Sequence, residues 1–161
     1  SLLGRWLNNP VINLGFSGKG KMEVALAELI SEIEAKLYVI DCLPNMLPDL
    51  VKERAEEFLF TLLNKRPEVP VVLIEDRTYT NSWIIPSLKK RNRKSRKILK
   101  GIYNKFRNRG VDRLHYIRGE SLLGSDAEAA VDGSHPSDLG FYRFAENLRD
   151  TLQSILNDCN S

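Results

Sequence analysis

Short β-branched or aromatic apolar runs alternate with longer amphipathic stretches along this chain, and few folds accept that pattern. The runs are Val11-Ile12-Asn13-Leu14, Leu37-Tyr38-Val39-Ile40, Val71-Val72-Leu73-Ile74 and Leu114-His115-Tyr116-Ile117. Each is short and bounded by turn residues, which predicts buried strands. The stretches between them carry helical spacing. Met22, Leu26, Leu29, Ile30 and Ile33 form the first stripe, and Leu50, Arg54, Phe58 and Leu62 form the second, closed at Arg66-Pro67. Ile98, Ile102 and Phe106 mark a third helix with Gly110 as its C-terminal cap, and a fourth runs over residues 137–156. Strands alternating with helices predict an α/β domain with a parallel sheet and helices on both faces. Ligands of such sheets bind at the carboxyl ends of the strands, which directs attention to residues 15–21, 41–48, 75–86 and 118–136.

At 161 residues the chain is read as one domain, residues 1–161, long enough to bury roughly 68–70% of its unfolded surface. No apolar run approaches the ~20 residues of a membrane-spanning helix. The first ten residues lack the features of a signal peptide. Two cysteines, Cys42 and Cys159, imply neither a disulfide framework nor a metal cluster. The net charge of +3 is unevenly spread, because residues 89–109 hold eleven Lys or Arg and no acid. That run is read as the solvated face of a covering helix. Nothing around it supplies base readout or stacking platforms, so no nucleic-acid partner is expected.

Residues 15–21, Gly-Phe-Ser-Gly-Lys-Gly-Lys, fit the spacing of a phosphate loop between a strand and a helix, with Asp41 available to assist a magnesium ion. Met22 stands where such a loop needs a hydroxyl. A nucleotide-binding loop and a plain glycine-rich turn are therefore both open readings. Nearer the C-terminus, Asp132-Gly133-Ser134-His135-Pro136 precedes a helix. Asp132 can fix the imidazole tautomer and leave the other ring nitrogen of His135 as a base. Equally, Ser137 can cap the helix, with Asp132 in a turn and His135 simply exposed. His115, within a strand, reads as a packing or surface residue. Asn45 follows the second strand, where its amide can donate to an oxyanion or merely close a turn.

Asn13-Leu14-Gly15-Phe16-Ser17-Gly18, the Asp41-to-Asn45 segment and Asp132-to-Pro136 stand in order at strand ends. Together they resemble the second, third and fifth blocks of the SGNH (GDSL-like) hydrolases, esterases with a flavodoxin-like three-layer α/β/α sandwich. The resemblance implies that the Gly18 N–H and the Asn45 side chain form an oxyanion hole. It makes His135 the general base and Asp132 its orienting acid, with no metal or cofactor required. Leu43-Pro44-Asn45-Met46 keeps only the Asn of the family's third block.

The family's first block, which carries the nucleophilic serine and its central strand, has no counterpart here. Ser1 to Leu7 reads as the end of the helix that would follow it. The nucleophile is therefore expected upstream of Ser1, the missing strand is expected from residues or a chain outside this sequence, and Ser17 belongs by resemblance to the oxyanion loop. The implied substrate is a small-molecule or carbohydrate ester. Trp83 and Tyr79, on the loop after the third apolar run, either line its pocket or pack that loop. Acyl and alcohol specificity and compartment are left open, as is a catalytically silent interaction domain.

Overall fold

The computed structural model describes residues 1–159. Five α-helices and three strands follow one another as α1 (Leu2–Trp6), α2 (Val24–Ser31), β1 (Tyr38–Ile40), α3 (Pro48–Lys65), β2 (Val71–Ile74), α4 (Pro86–Arg107), β3 (Leu114–Ile117) and α5 (Asp138–Asp158). They gather in two compact units. One comprises Phe16–Asp76 and Arg91–Ile117; the other comprises Ser1–Gly15, Arg77–Lys90 and the chain from Arg118 onward.

The first of these units holds the sheet, parallel throughout and ordered β1-β2-β3. In register, Tyr38 faces Val71 and Val71 faces Leu114, while Ile40 faces Leu73 and Leu73 faces Tyr116. Because strand side chains alternate between faces, these residues share one surface. They join a buried cluster with Phe58, Leu59 and Leu62 of α3 and Leu99, Ile102 and Phe106 of α4. Each such side chain, fully buried, contributes about 1.5–3 kcal/mol. β2 is buried at all four positions, as a strand covered on both faces must be. The expected α/β, flavodoxin-like class is the observed one.

α4 explains the basic run. Asn92, Ser95, Leu99, Ile102 and Phe106 form its buried face, and the exposed cations lie around the rest of the helix. Lys100 Nζ rests 4.1 Å from the Tyr103 ring and 4.3 Å from the Tyr116 ring. At the head of the helix, Asn92 Nδ2 donates to buried Asp76 Oδ2 at 2.7 Å, and Arg96 grips the Asp76 carbonyl through Nε and Nη2 at 2.9 and 2.7 Å. The buried Asp76 side chain thus has a hydrogen-bond donor at Oδ2, and its main-chain carbonyl has two, as buried polar groups require. No helix among the described residues is long and apolar enough to cross a membrane.

Two expectations are corrected. Residues 11–14 form no strand; Val11, Ile12 and Leu14 are 52, 64 and 42% exposed. A strand needs a ladder partner for its backbone groups, and no neighbouring strand among the described residues offers one. Asn13 Oδ1 instead accepts the Gly15 N–H at 2.9 Å and turns the chain. The first helical stripe is also shorter than its spacing suggests. α2 starts at Val24, Met22 is buried ahead of it with φ +54°, and Leu29 faces solvent.

In the second unit α1 packs on α5, with the Trp6 and Tyr142 rings edge-on at 5.2 Å. The loop before α5 is tied to that helix. Asp126 makes a two-pronged ion pair with Arg143, both contacts at 2.6 Å. A Cβ on Gly140 would meet the Ala129 carbonyl oxygen at 2.0 Å, so only glycine lets the helix approach this closely.

Candidate active site

The loop of residues 130–137 is shaped by its own sequence. Asp132 Oδ1 accepts the backbone N–H groups of Ser134 at 2.9 Å and His135 at 2.8 Å, an Asx turn that needs the left-handed Gly133 (φ +86°) at its centre. The Val131 N–H bonds the His135 carbonyl at 2.8 Å, and Ala130 bridges Pro136, closing the loop at its base. Ser137 then caps α5, its Oγ accepting from the Gly140 N–H at 3.3 Å.

This turn leaves Asp132 Oδ2 facing His135 Nδ1 at 2.7 Å. A carboxylate only accepts, so Nδ1 carries the proton and Nε2 is the basic nitrogen. The His135 backbone N–H, then its ring, then the Ser134 N–H hold the Asp132 carboxyl far below the usual carboxylate range. The pair is open to water, with side chains 77 and 55% exposed for His135 and Asp132. Its contact therefore contributes little to stability, and what it fixes is an orientation. Ser137 does cap the helix and His135 is exposed.

The segment after β2 lies against this loop. The Thr80 N–H donates to the Gly133 carbonyl at 2.9 Å, and a Cβ on Gly133 would come within 2.4 Å of the Asn81 side chain. Tyr79 is buried, whereas Trp83 is 77% exposed.

The remaining sequence candidates belong to the sheet-bearing unit. Asn45 ends a 3-10 turn, Leu43–Asn45, whose Pro44 carbonyl accepts from Arg91 Nη2 at 2.7 Å. Its Nδ2 reaches the Gly20 carbonyl at 3.4 Å and so brings the turn beside the glycine-rich loop. Gly18 lies in that loop with φ +66° and open space around it. The neighbouring Cys42 thiol is pushed up to about 12, chiefly by burial and then by the Asp41 charge. His115 is half-buried in β3.

The phosphate-loop reading does not fit this geometry. The helix begins three residues beyond Lys21, and the Lys21 N–H is taken by the Glu23 carboxylate at 3.1 Å. A phosphate loop offers such amides to an anion; here a side-chain anion already occupies one. Buried Met22, with no hydroxyl, fills the position of the metal-binding residue.

The model of the GDSL-like Lipase/Acylhydrolase family matches residues 1–153. No curated protein sequence matches the chain. Among solved structures, a candidate GDSL-like lipase from Bacteroides ovatus ATCC 8483 superposes with a TM-score of 0.92 at 31% identity, covering 97% of this chain. The chain spans 46% of that protein's length. With an Asp-His pair in contact on the loop before the last helix of a parallel α/β fold, and a family match from residue 1 to residue 153, the chain belongs to the GDSL-like lipase/acylhydrolase family.

Proposed function

We propose that the protein hydrolyses carboxylic esters, with His135 as general base and Asp132 as its orienting acid. The 2.7 Å contact between Asp132 Oδ2 and His135 Nδ1 carries this reading. In the reaction a serine hydroxyl attacks the ester carbonyl and His135 Nε2 takes its proton. The Gly18 N–H and the Asn45 amide stabilise the tetrahedral oxyanion. Collapse expels the alcohol, which receives the proton from Nε2, and water then releases the acid by the same steps. Losing one oxyanion donor typically costs ~2.7–4 kcal/mol of transition-state stabilisation. We assign the nucleophile to no serine of these 161 residues; Ser17 belongs by resemblance to the oxyanion loop. Acetylated carbohydrates are the leading substrate class, with exposed Trp83 offering a flat apolar surface for a sugar ring.

The test is p-nitrophenyl acetate turnover by the intact natural protein and its His135→Ala variant. Turnover in the first and its loss in the second support the reading. A variant that keeps its activity removes His135 from the mechanism. An intact protein inert to esters and to fluorophosphonates leaves a silent interaction domain as the better account.

A further inference from the structure

We propose that Arg77 is the positioning residue of the Asp132–His135 pair, an inference that rests on the esterase reading of that pair. Arg77 lies three residues beyond the end of β2 and is 7% exposed. A buried guanidinium is costly unless its N–H groups find acceptors. Two of them converge on one residue of the loop: Nε donates to the Ser134 carbonyl at 2.7 Å and Nη2 to the Ser134 hydroxyl at 3.0 Å. Ser134 stands between the acid and the base. Its N–H is bound by Asp132 Oδ1 on one side, while its carbonyl begins the peptide that carries His135 on the other.

A planar fork engaging two atoms of one residue fixes its direction as well as its place, which a lysine's single ammonium does not. Asp132 and His135 are both well exposed, so little packing on the pair itself can hold them. The restraint comes from beneath. Arg77 grips Ser134, the Thr80 N–H grips the Gly133 carbonyl, and the Asn81 side chain fills the space against Gly133. Residues 77–81 thus form a strap that holds both residues lying between the acid and the base. The consequence is a single imidazole tautomer, with Nδ1–H given to Asp132 and Nε2 kept basic. Once the strap is cut the loop moves, the imidazole takes up both tautomers, and the base is correctly set only part of the time.

The test combines kinetics of the intact natural protein with nitrogen-15 imidazole spectra. The His135 ring signals are assigned by their loss in His135→Ala, and His115 is the one other histidine among these 161 residues. Arg77→Met is expected to lower kcat on p-nitrophenyl acetate by about a hundredfold, the scale of a small misplacement of a catalytic group, with KM within about threefold. The His135 ring nitrogens should move from one tautomer toward an average of two. Ser134→Ala removes only the 3.0 Å contact and leaves the buried cation in place; it should lower kcat by about three- to tenfold, as loss of one charge-assisted bond does. Arg77→Lys should recover little of the loss.

A merely structural role would lower the melting temperature and leave the His135 tautomer alone. The proposal is overturned if Ser134→Ala and Arg77→Lys both keep wild-type kcat, or if the ring signals of the Arg77 variants match wild type while His135→Ala is inactive. Should His135→Ala prove active, the esterase role of the pair fails, and the ring signals alone still decide whether Arg77 holds it.

Discussion

Replacing Asp132 by asparagine separates the two tasks of its carboxylate. Oδ1 shapes the turn by accepting from the N–H groups of Ser134 and His135, while Oδ2 accepts from the imidazole at 2.7 Å. An asparagine keeps a carbonyl oxygen for the first task, so the turn and its left-handed Gly133 persist. For the second it offers an NH₂ group, a donor, to a ring nitrogen that needs an acceptor. The imidazole then places its proton on Nε2, the atom that must receive the serine proton. In buried triads the same exchange lowers kcat by about 10⁴-fold. Here the pair is more than half exposed, and water can act as acceptor for a fraction of molecules. We therefore expect a loss of about 10²–10⁴-fold in kcat on p-nitrophenyl acetate with KM little changed. Because an exposed pair contributes little to folding, the melting temperature should stay where it is. Activity within about threefold of wild type would refute the tautomer argument. A large loss of both activity and melting temperature would show that Asp132 acts through the turn alone.

Two further perturbations probe the frame around the site. In Gly140→Ala the new methyl would lie 2.0 Å from the Ala129 carbonyl oxygen, forcing α5 away from the loop that ends in His135. Urea unfolding should show a loss of about 1–3 kcal/mol or more, as overpacking does, together with reduced turnover; unchanged stability would mean the helix is not seated on that carbonyl. Cys42, whose thiol is pushed up to about 12, should resist iodoacetamide at pH 8.5 in the folded protein while exposed Cys159 reacts. The unfolded thiol ionises near ~8.5, so the folded state binds the extra proton above that pH. This contribution to stability is complete below ~8.5 and is lost as the pH rises toward the folded value. Rapid native alkylation of Cys42 would contradict the raised thiol.

Local pattern carried far in this chain. The runs at 71–74 and 114–117 are strands to the residue, and β1 begins one residue into its run at Tyr38. Arg66-Pro67 ends α3 one turn after Leu62, and Gly110 takes the positive φ expected of a helix cap. The Asp132–His135 contact was also legible, because two residues three apart with a glycine between them can only turn in a few ways. Failure came where partners decide the outcome. Val11 to Leu14 has the composition of a strand but no ladder to join, and α2 buries Ala27, Ile30 and Ser31 while Leu29 faces solvent. Arg77 reaches Ser134 across 57 positions of sequence. No local spacing announces such a pair, although an arginine three residues beyond an apolar strand, where burial is expected, is a cation in search of acceptors.

The central claim is that His135 activates a serine for attack on an acyl group. Its most direct test is fluorophosphonate labelling of the intact natural protein, followed by intact mass and peptide mapping. The account predicts one phosphonyl group per molecule on a serine other than Ser17, with labelling abolished in His135→Ala. Equal labelling of the His135→Ala variant, or a label found on Ser17, would contradict it.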